Sequence, residues 1–308
     1  MTRLQCVGAM LCSALLLPGQ AAYAHVAQDD HGPVWFSVDP WSAVLLVAIA
    51  WCYLRGRRTG RLRTRSRRAS RAVPFWAGWS FLLIALGPPV DTLGGQLFSV
   101  HMVQHEILML LAAPLLVISR PWGYLLWGLP SAARRLFARL NRSSSLRSGG
   151  RWLVSPQGAW ILHAAALWAW HVPVLFNASL TSDAVHALQH FSFFVSALLF
   201  WAALLLSRDR ARNAGAIIYL FTTAMHSGLL GVLLTFSPVA WYAPYRETTA
   251  LFNLTPLEDQ QLGGLIMWVP SSLVFLVAGL LLAARCLADE GTRSAPVAYR
   301  RTADKADG

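Results

Sequence analysis

Long apolar stretches separated by short polar breaks run through most of this chain. Stretches long enough to cross a hydrocarbon core of about 30 Å occur at residues 34–53, 73–90, 100–118, 157–176, 185–206, 216–236 and 264–286. They predict an all-α, polytopic transmembrane bundle of about seven spans. A shorter pattern precedes them: Arg3, an apolar core from Val7 to Leu17, then Pro18 and the small-residue site Ala22-Tyr23-Ala24. That is the layout of a secretory signal peptide, so residues 1–24 are expected to be removed, leaving His25 as the mature amino terminus. Residues 25–33 then read as an exported leader, 34–286 as the membrane domain and 287–308 as a tail.

Composition agrees, with 56% hydrophobic and 13% charged residues among 308. The formal net charge of +12 would point to nucleic acid if it were spread over a soluble surface, so its location decides its meaning. Nine arginines crowd Arg55 to Arg71. A second group runs from Arg120 to Arg151, a third comprises Arg208, Arg210 and Arg212, and the tail is basic as well. Alternate loops are therefore basic, which by the positive-inside rule places the amino terminus outside and the carboxyl terminus inside. The charge is a topology signal, and no nucleic-acid partner is expected. The segment Ser131 to Arg142 alternates basic and apolar residues at helical spacing and is expected to lie along the inner surface. Cys6 and Cys12 fall in the signal, while Cys52 and Cys286 fall near span ends, so no disulfide framework is implied.

Two of the spans open with one pattern, H-x-x-Q-H: HMVQH at 101–105 and HALQH at 186–190. Residues i and i+4 share a helix face, so His101 with His105, and His186 with His190, each offer two imidazoles in one direction. With His171, five histidines stand at the outer ends of consecutive spans, and none of the nine in the chain lies in a basic loop. That convergence favours a metal site over isolated interfacial residues. Gln104 and Gln189 are candidates to orient the imidazoles, Asp259 is either a second carboxylate behind the cluster or a helix cap, and Glu106 points about 100° away from His105. The two copies also share flanks, Pro89-Val90 before one and Pro173-Val174 before the other, as in a degenerate hairpin repeat.

Imidazole suits several metals, and the nearby methionines Met102, Met109, Met225 and Met267 tilt the choice towards copper, with zinc and iron open. Deeper in the apolar runs, His163 and His226 form a pair that fits either a step in a metal pathway or bis-histidine haem ligation; Met225 adjoins the second. His25, with a free α-amino group, and His31 are candidate capture ligands in the leader. There is no nucleotide-binding loop, no nucleophile with a base at useful spacing and no HEXXH, so no enzyme activity is expected.

HMVQHEILMLLAAPLLVISRP, WHVPVLFNASLTSDAVHALQHFSFFVSALLFW and TPLEDQQLGGLIMWVPS resemble the CtaG-type assembly proteins of bacterial caa-type cytochrome c oxidases, from about the second span to the seventh. His101, His105, His171, His186, His190 and Asp259 stand within the matching motifs. The resemblance implies a bacterial plasma-membrane protein that helps assemble a haem-copper oxidase, with oxidase subunits or other assembly factors as partners and copper delivery as its role. Two alternatives stand beside it. One is a membrane haem protein using His163, His226 or the outer histidines as axial ligands; the other is a metal-ion permease, weakened by the scarcity of intramembrane carboxylates beyond Glu106.

Overall fold

The computed structural model describes residues 40–59, 65–206 and 212–294. The signal-like segment, the leader with His25 and His31, and residues 295–308 lie outside the described residues. Among those described the chain is helical, with no strand. In chain order the helices are α1 (Pro40–Arg58), α2 (Arg65–Leu86), α3 (Val90–Gly94), α4 (Phe98–Glu106), a π-helical segment (Ile107–Ala112) and α5 (Ala113–Ser119). Then come α6 (Trp122–Gly128), α7 (Ser131–Leu140), α8 (Ser144–Leu153), α9 (Pro156–His171) and α10 (Pro173–Thr181). The last three are α11 (Asp183–Leu205), α12 (Arg212–Thr235) and α13 (Pro256–Ser294), the final pair joined by a loop with two 3-10 turns, Ala243–Arg246 and Thr249–Phe252.

Among the described residues, four stretches are long and apolar enough to cross a membrane: Phe98–Ser119, Asp183–Leu205, Gly215–Thr235 and Pro256–Ala284. The apolar run at 157–176 is not one straight helix. It breaks between α9 and α10 with a 76° bend, because Pro173 forces Val172 into extended backbone, φ −65° and ψ 127°. The apolar part of α2, Arg71–Leu86, is a shorter helix, and α1 runs into Arg55, Arg57 and Arg58 in its last turn. Apolar side chains nevertheless face outward on both flanks of the bundle, among them Val44, Val47 and Trp51 on α1 and Leu273, Leu276 and Leu280 on α13. Such faces suit lipid as their solvent.

The helix Phe98–Ser119 keeps its direction through a widened turn. Pro114 has no N–H to give the carbonyl four residues back, and its ring crowds that carbonyl, so the backbone opens into the π turn just before it. The indole of Trp201 on α11 donates to the carbonyl of Met109 at 2.9 Å, satisfying a group inside that turn. Arg120 in the left-handed region, φ 50°, then ends α5.

The segment that opens α13 locks the end of the bundle at which α4 begins. Thr255 and Glu258 form a reciprocal capping box: Thr255 N donates to Glu258 Oε2 at 2.8 Å and Glu258 N to Thr255 Oγ1 at 3.2 Å. Gln260 holds the preceding loop by accepting from Trp241 N at 2.6 Å and donating to the carbonyls of Leu234 and Val239 at 3.3 Å. A Cβ on Gly263 would lie 2.3 Å from the Phe98 ring of α4, and one on Gly264 would lie 2.8 Å from the Gly231 carbonyl of α12. The glycine pair is thus where α13 closes against both neighbours, as small residues do between membrane helices.

Candidate metal centre

The two H-x-x-Q-H stretches occupy the same place in the same succession of elements. Each follows an apolar helix, a proline turn and a short helix: α2, Pro88-Pro89 and α3 before α4; α9, Pro173 and α10 before α11. The short helices α3 and α10 bring α4 and α11 side by side, and the four imidazoles meet between them. Ring centroids are 4.4 Å apart for His101 and His105, 4.2 Å for His186 and His190, 5.4 Å for His101 and His186, and 5.3 Å for His105 and His190.

One ring nitrogen from each of His101, His186 and His190 lies within 4.8 Å of the others. Three nitrogens on one metal at about 2.0–2.1 Å stand roughly 3.4 Å apart. The rings therefore need to close by no more than about 1.5 Å, which small side-chain rotations supply. His101 is fully buried, His190 is 7% exposed and His186 is half-buried. His190 Nε2 is buried with no hydrogen-bond partner, a costly arrangement for a polar atom unless something takes its lone pair.

His101 is held on several sides. Its Nδ1 lies 3.3 Å from the Gly94 carbonyl, to which Tyr245 also donates its hydroxyl at 2.9 Å. Burial pushes the Tyr245 phenol well above its ordinary range, so that hydroxyl stays a donor. With Nε2–H given to Gln189 Oε1, Nδ1 faces the Tyr245 hydroxyl at 3.4 Å; with Nδ1–H given to Gly94, Nε2 carries the lone pair and faces that oxygen at 3.3 Å while Gln189 Nε2 is buried without a partner. Two acceptors cannot bond each other. Turning the amide over gives Nε2 a donor, and a cation on Nε2 gives it a partner without the turn.

The two glutamines diverge here. Gln189 faces His101, whereas Gln104 donates to the Ala85 carbonyl and to Asp91 Oδ1, both at 2.7 Å, and so ties α4 to α2 and α3. Asp259 is a cap, but for another helix. Fully buried, it accepts from Phe98 N at 2.6 Å and from Ser99 N at 3.1 Å, and takes the Ser99 hydroxyl as well. Those N–H groups open α4 and have no intrahelical acceptor, so a carboxylate from α13 completes the helix that carries His101 and His105.

His105 is 1% exposed, and neither ring nitrogen has a partner; its ring packs on Phe193 at 4.5 Å. His171, at the end of α9, donates from Nδ1 to the Leu167 carbonyl at 2.7 Å, and its Nε2 lies 3.5 Å from Met102 Sδ. Tyr242, from the loop between α12 and α13, donates to the His171 carbonyl at 3.0 Å and lies against Phe98 and Phe176, so the loop covers the cluster. Glu106 follows His105, with one carboxylate oxygen buried and unpartnered.

His163 and His226 lie apart from this group. His163 Nδ1 meets Ser196 Oγ at 3.2 Å with its ring on Phe200, and His226 stands edge-on to Trp160 at 5.4 Å. Met225 is 59% exposed and points away from the bundle. His25 and His31 fall outside the described residues. Sequence reasoning missed Tyr245, Gly94, Phe98 and Phe176, since loop aromatics and a backbone carbonyl leave no spaced pattern to find.

Comparison with known proteins follows the same residues. The family model described as cytochrome c oxidase caa3 assembly factor (Caa3_CtaG) matches residues 50–289. Uncharacterized proteins of Mycobacterium bovis and Mycobacterium tuberculosis are each 27% identical over 233 residues, which is 72% of this chain and 35% of theirs. The chain thus spans about a third of the length of these relatives. No solved structure matches.

Proposed function

The chain belongs to the cytochrome c oxidase caa3 assembly factor family, and from that premise we propose that it serves the assembly of a haem-copper oxidase by holding copper at His101, His186 and His190. The observation that carries this reading is the convergence of three imidazole nitrogens, drawn from both H-x-x-Q-H copies, within 4.8 Å. The donor set fits: neutral imidazoles, a His101 ring held in place beside Gly94 and an unpartnered nitrogen on His190 suit a borderline metal such as copper, and zinc shares the same chemistry. Copper here is cargo, passed to oxidase subunits or to another assembly factor, and no bond-making step by the protein is invoked.

The orientation of the site follows from charge. His101 and His186 stand at the starts of α4 and α11, while Arg120 and Arg208 follow their far ends, and Arg55, Arg57 and Arg58 close α1. The positive-inside rule then supports a bacterial plasma-membrane protein of seven spans, counting α1, α2 and the bent α9–α10 pair, with the cluster on the outer side. Purified full-length protein is expected to bind copper at this cluster, and His101→Ala combined with His190→Ala to weaken binding at that site at least 100-fold. Unchanged copper binding by the double variant would falsify the reading. A strong Soret band from the purified protein would replace it with the haem alternative.

A further inference from the structure

The three-imidazole site leaves a second group of donors unused. Met102 is fully buried on α4, and its sulfur lies 3.5 Å from His171 Nε2. The Leu167 carbonyl has no proton to give, so at 2.7 Å the hydrogen must sit on His171 Nδ1. In a neutral imidazole that leaves a lone pair on Nε2, which faces a thioether that has lone pairs of its own and no proton. Two soft acceptors are therefore buried against each other with nothing to join them. His105, one helical turn along α4 from Met102, is 1% exposed and has both nitrogens unpartnered. Its ring and that of His171 both pack near Phe193, with centroids at 4.5 and 6.1 Å.

We infer that Met102 Sδ and His171 Nε2, with His105 as third donor, form a second metal station beside the three-imidazole site and that it takes Cu(I). The geometry of the pair fits a shared ion. With metal–nitrogen and metal–sulfur bonds of about 2.0 and 2.3 Å, a separation of 3.5 Å corresponds to an angle at the metal of roughly 109°, the tetrahedral value. The chemistry selects the ion. A thioether adds little for zinc or Cu(II) but is a favoured ligand of Cu(I), and the apolar surroundings of Phe193, Phe176 and Leu167 suit a monovalent charge better than a divalent one. His105 adjoins the three-imidazole site, its ring 4.4 Å from His101 and 5.3 Å from His190, and it follows Met102 by one turn of α4. A neutral imidazole has one lone pair, and with neither nitrogen committed to a partner His105 can offer it on Nδ1 or on Nε2. No electron is transferred if copper arrives as Cu(I).

This inference rests on reading the cluster as a metal site, and one experiment separates the two. Full-length protein in detergent, under reducing conditions, is titrated with Cu(I) against a bathocuproine competitor and its copper X-ray absorption recorded. Two Cu(I) per chain and a sulfur scatterer at about 2.3 Å are expected. Met102→Leu, which conserves volume, loses one equivalent and the sulfur scatterer; His101→Ala with His190→Ala loses the other equivalent and keeps the sulfur. A nitrogen-only spectrum from the unaltered protein at saturation overturns the second station, with no variant required, and leaves the three-imidazole reading standing. A sulfur signal that survives Met102→Leu overturns it too. If no copper binds at all, the underlying metal reading fails first.

Discussion

Gln189 and Tyr245 show how single side chains set the chemistry of an imidazole they do not replace. Tyr245 and the His101 ring share one carbonyl, that of Gly94, and the hydroxyl also lies 3.4 Å from Nδ1, so together they fix where the ring sits. Removing the hydroxyl with Tyr245→Phe loosens the ring without touching a donor atom, and Gln189→Leu removes the amide that faces Nε2. Each is expected to weaken copper binding about 10- to 100-fold while the ion count per chain stays the same, measured by competition titration. A loss of stoichiometry instead would mean that the amide or the hydroxyl is itself a ligand. The histidines themselves were legible in the sequence because i, i+4 spacing on a helix is a strong geometric statement. Gly94 was not: a backbone carbonyl carries no sequence signature, and it reaches His101 only because α3 folds back on α4.

At the scale of elements, α4 is a short helix that depends on its neighbours. Asp259 of α13 takes the N–H groups that open it, Gln104 ties it to α2 and α3, and Trp201 of α11 satisfies a carbonyl in the π turn that follows. Asp259→Ala leaves two buried N–H groups without acceptors, a loss of about 3 kcal/mol. A lowered melting temperature in detergent is expected, together with weaker copper binding, because His101 and His105 ride on that helix. Asp259→Asn keeps an acceptor oxygen and is expected to recover part of both. Equal effects from the two substitutions would mean that charge at the helix start outweighs the hydrogen bonds. From sequence, Asp259 read as either a cap or a partner of the cluster; the structure makes it a cap on the cluster's own helix. The sequence could not show this, since a cap 161 residues away in the chain leaves no local pattern. The break at Val172 and the π turn before Pro114 were within reach, because each proline marks its own site. Reading hydropathy alone passed over both.

Across the whole molecule, arginine placement and histidine placement are the two ends of one axis. The basic helices α7 and α8 and the arginines closing α1 gather at one end, and the covered cluster sits at the other. A cysteine introduced at Ser182, before α11, is expected to react with a membrane-impermeant thiol reagent in intact cells, and one at Ser148, in α8, only after the membrane is opened. The reverse pattern would invert the topology and put the cluster on the cytoplasmic side. The count of spans was harder to read than the class. Length and apolarity identify α11, α12 and α13 at once, but the helix ends near Arg55 and Pro173 carry apolar runs past the points where the helices end or bend.

The loop that carries Tyr242 and Tyr245 has a bearing on time as well as on affinity. It lies over the imidazoles with its aromatic rings against Phe98 and Phe176, and of the clustered histidines only His186 retains appreciable contact with the surroundings. An ion held under such a cover exchanges no faster than the cover lifts, however weakly it is bound. If the cluster holds copper as proposed, residence is then set by how often the loop opens as well as by affinity. Adding a competing chelator to the resting protein would strip the ion slowly, at a rate that does not change with chelator concentration.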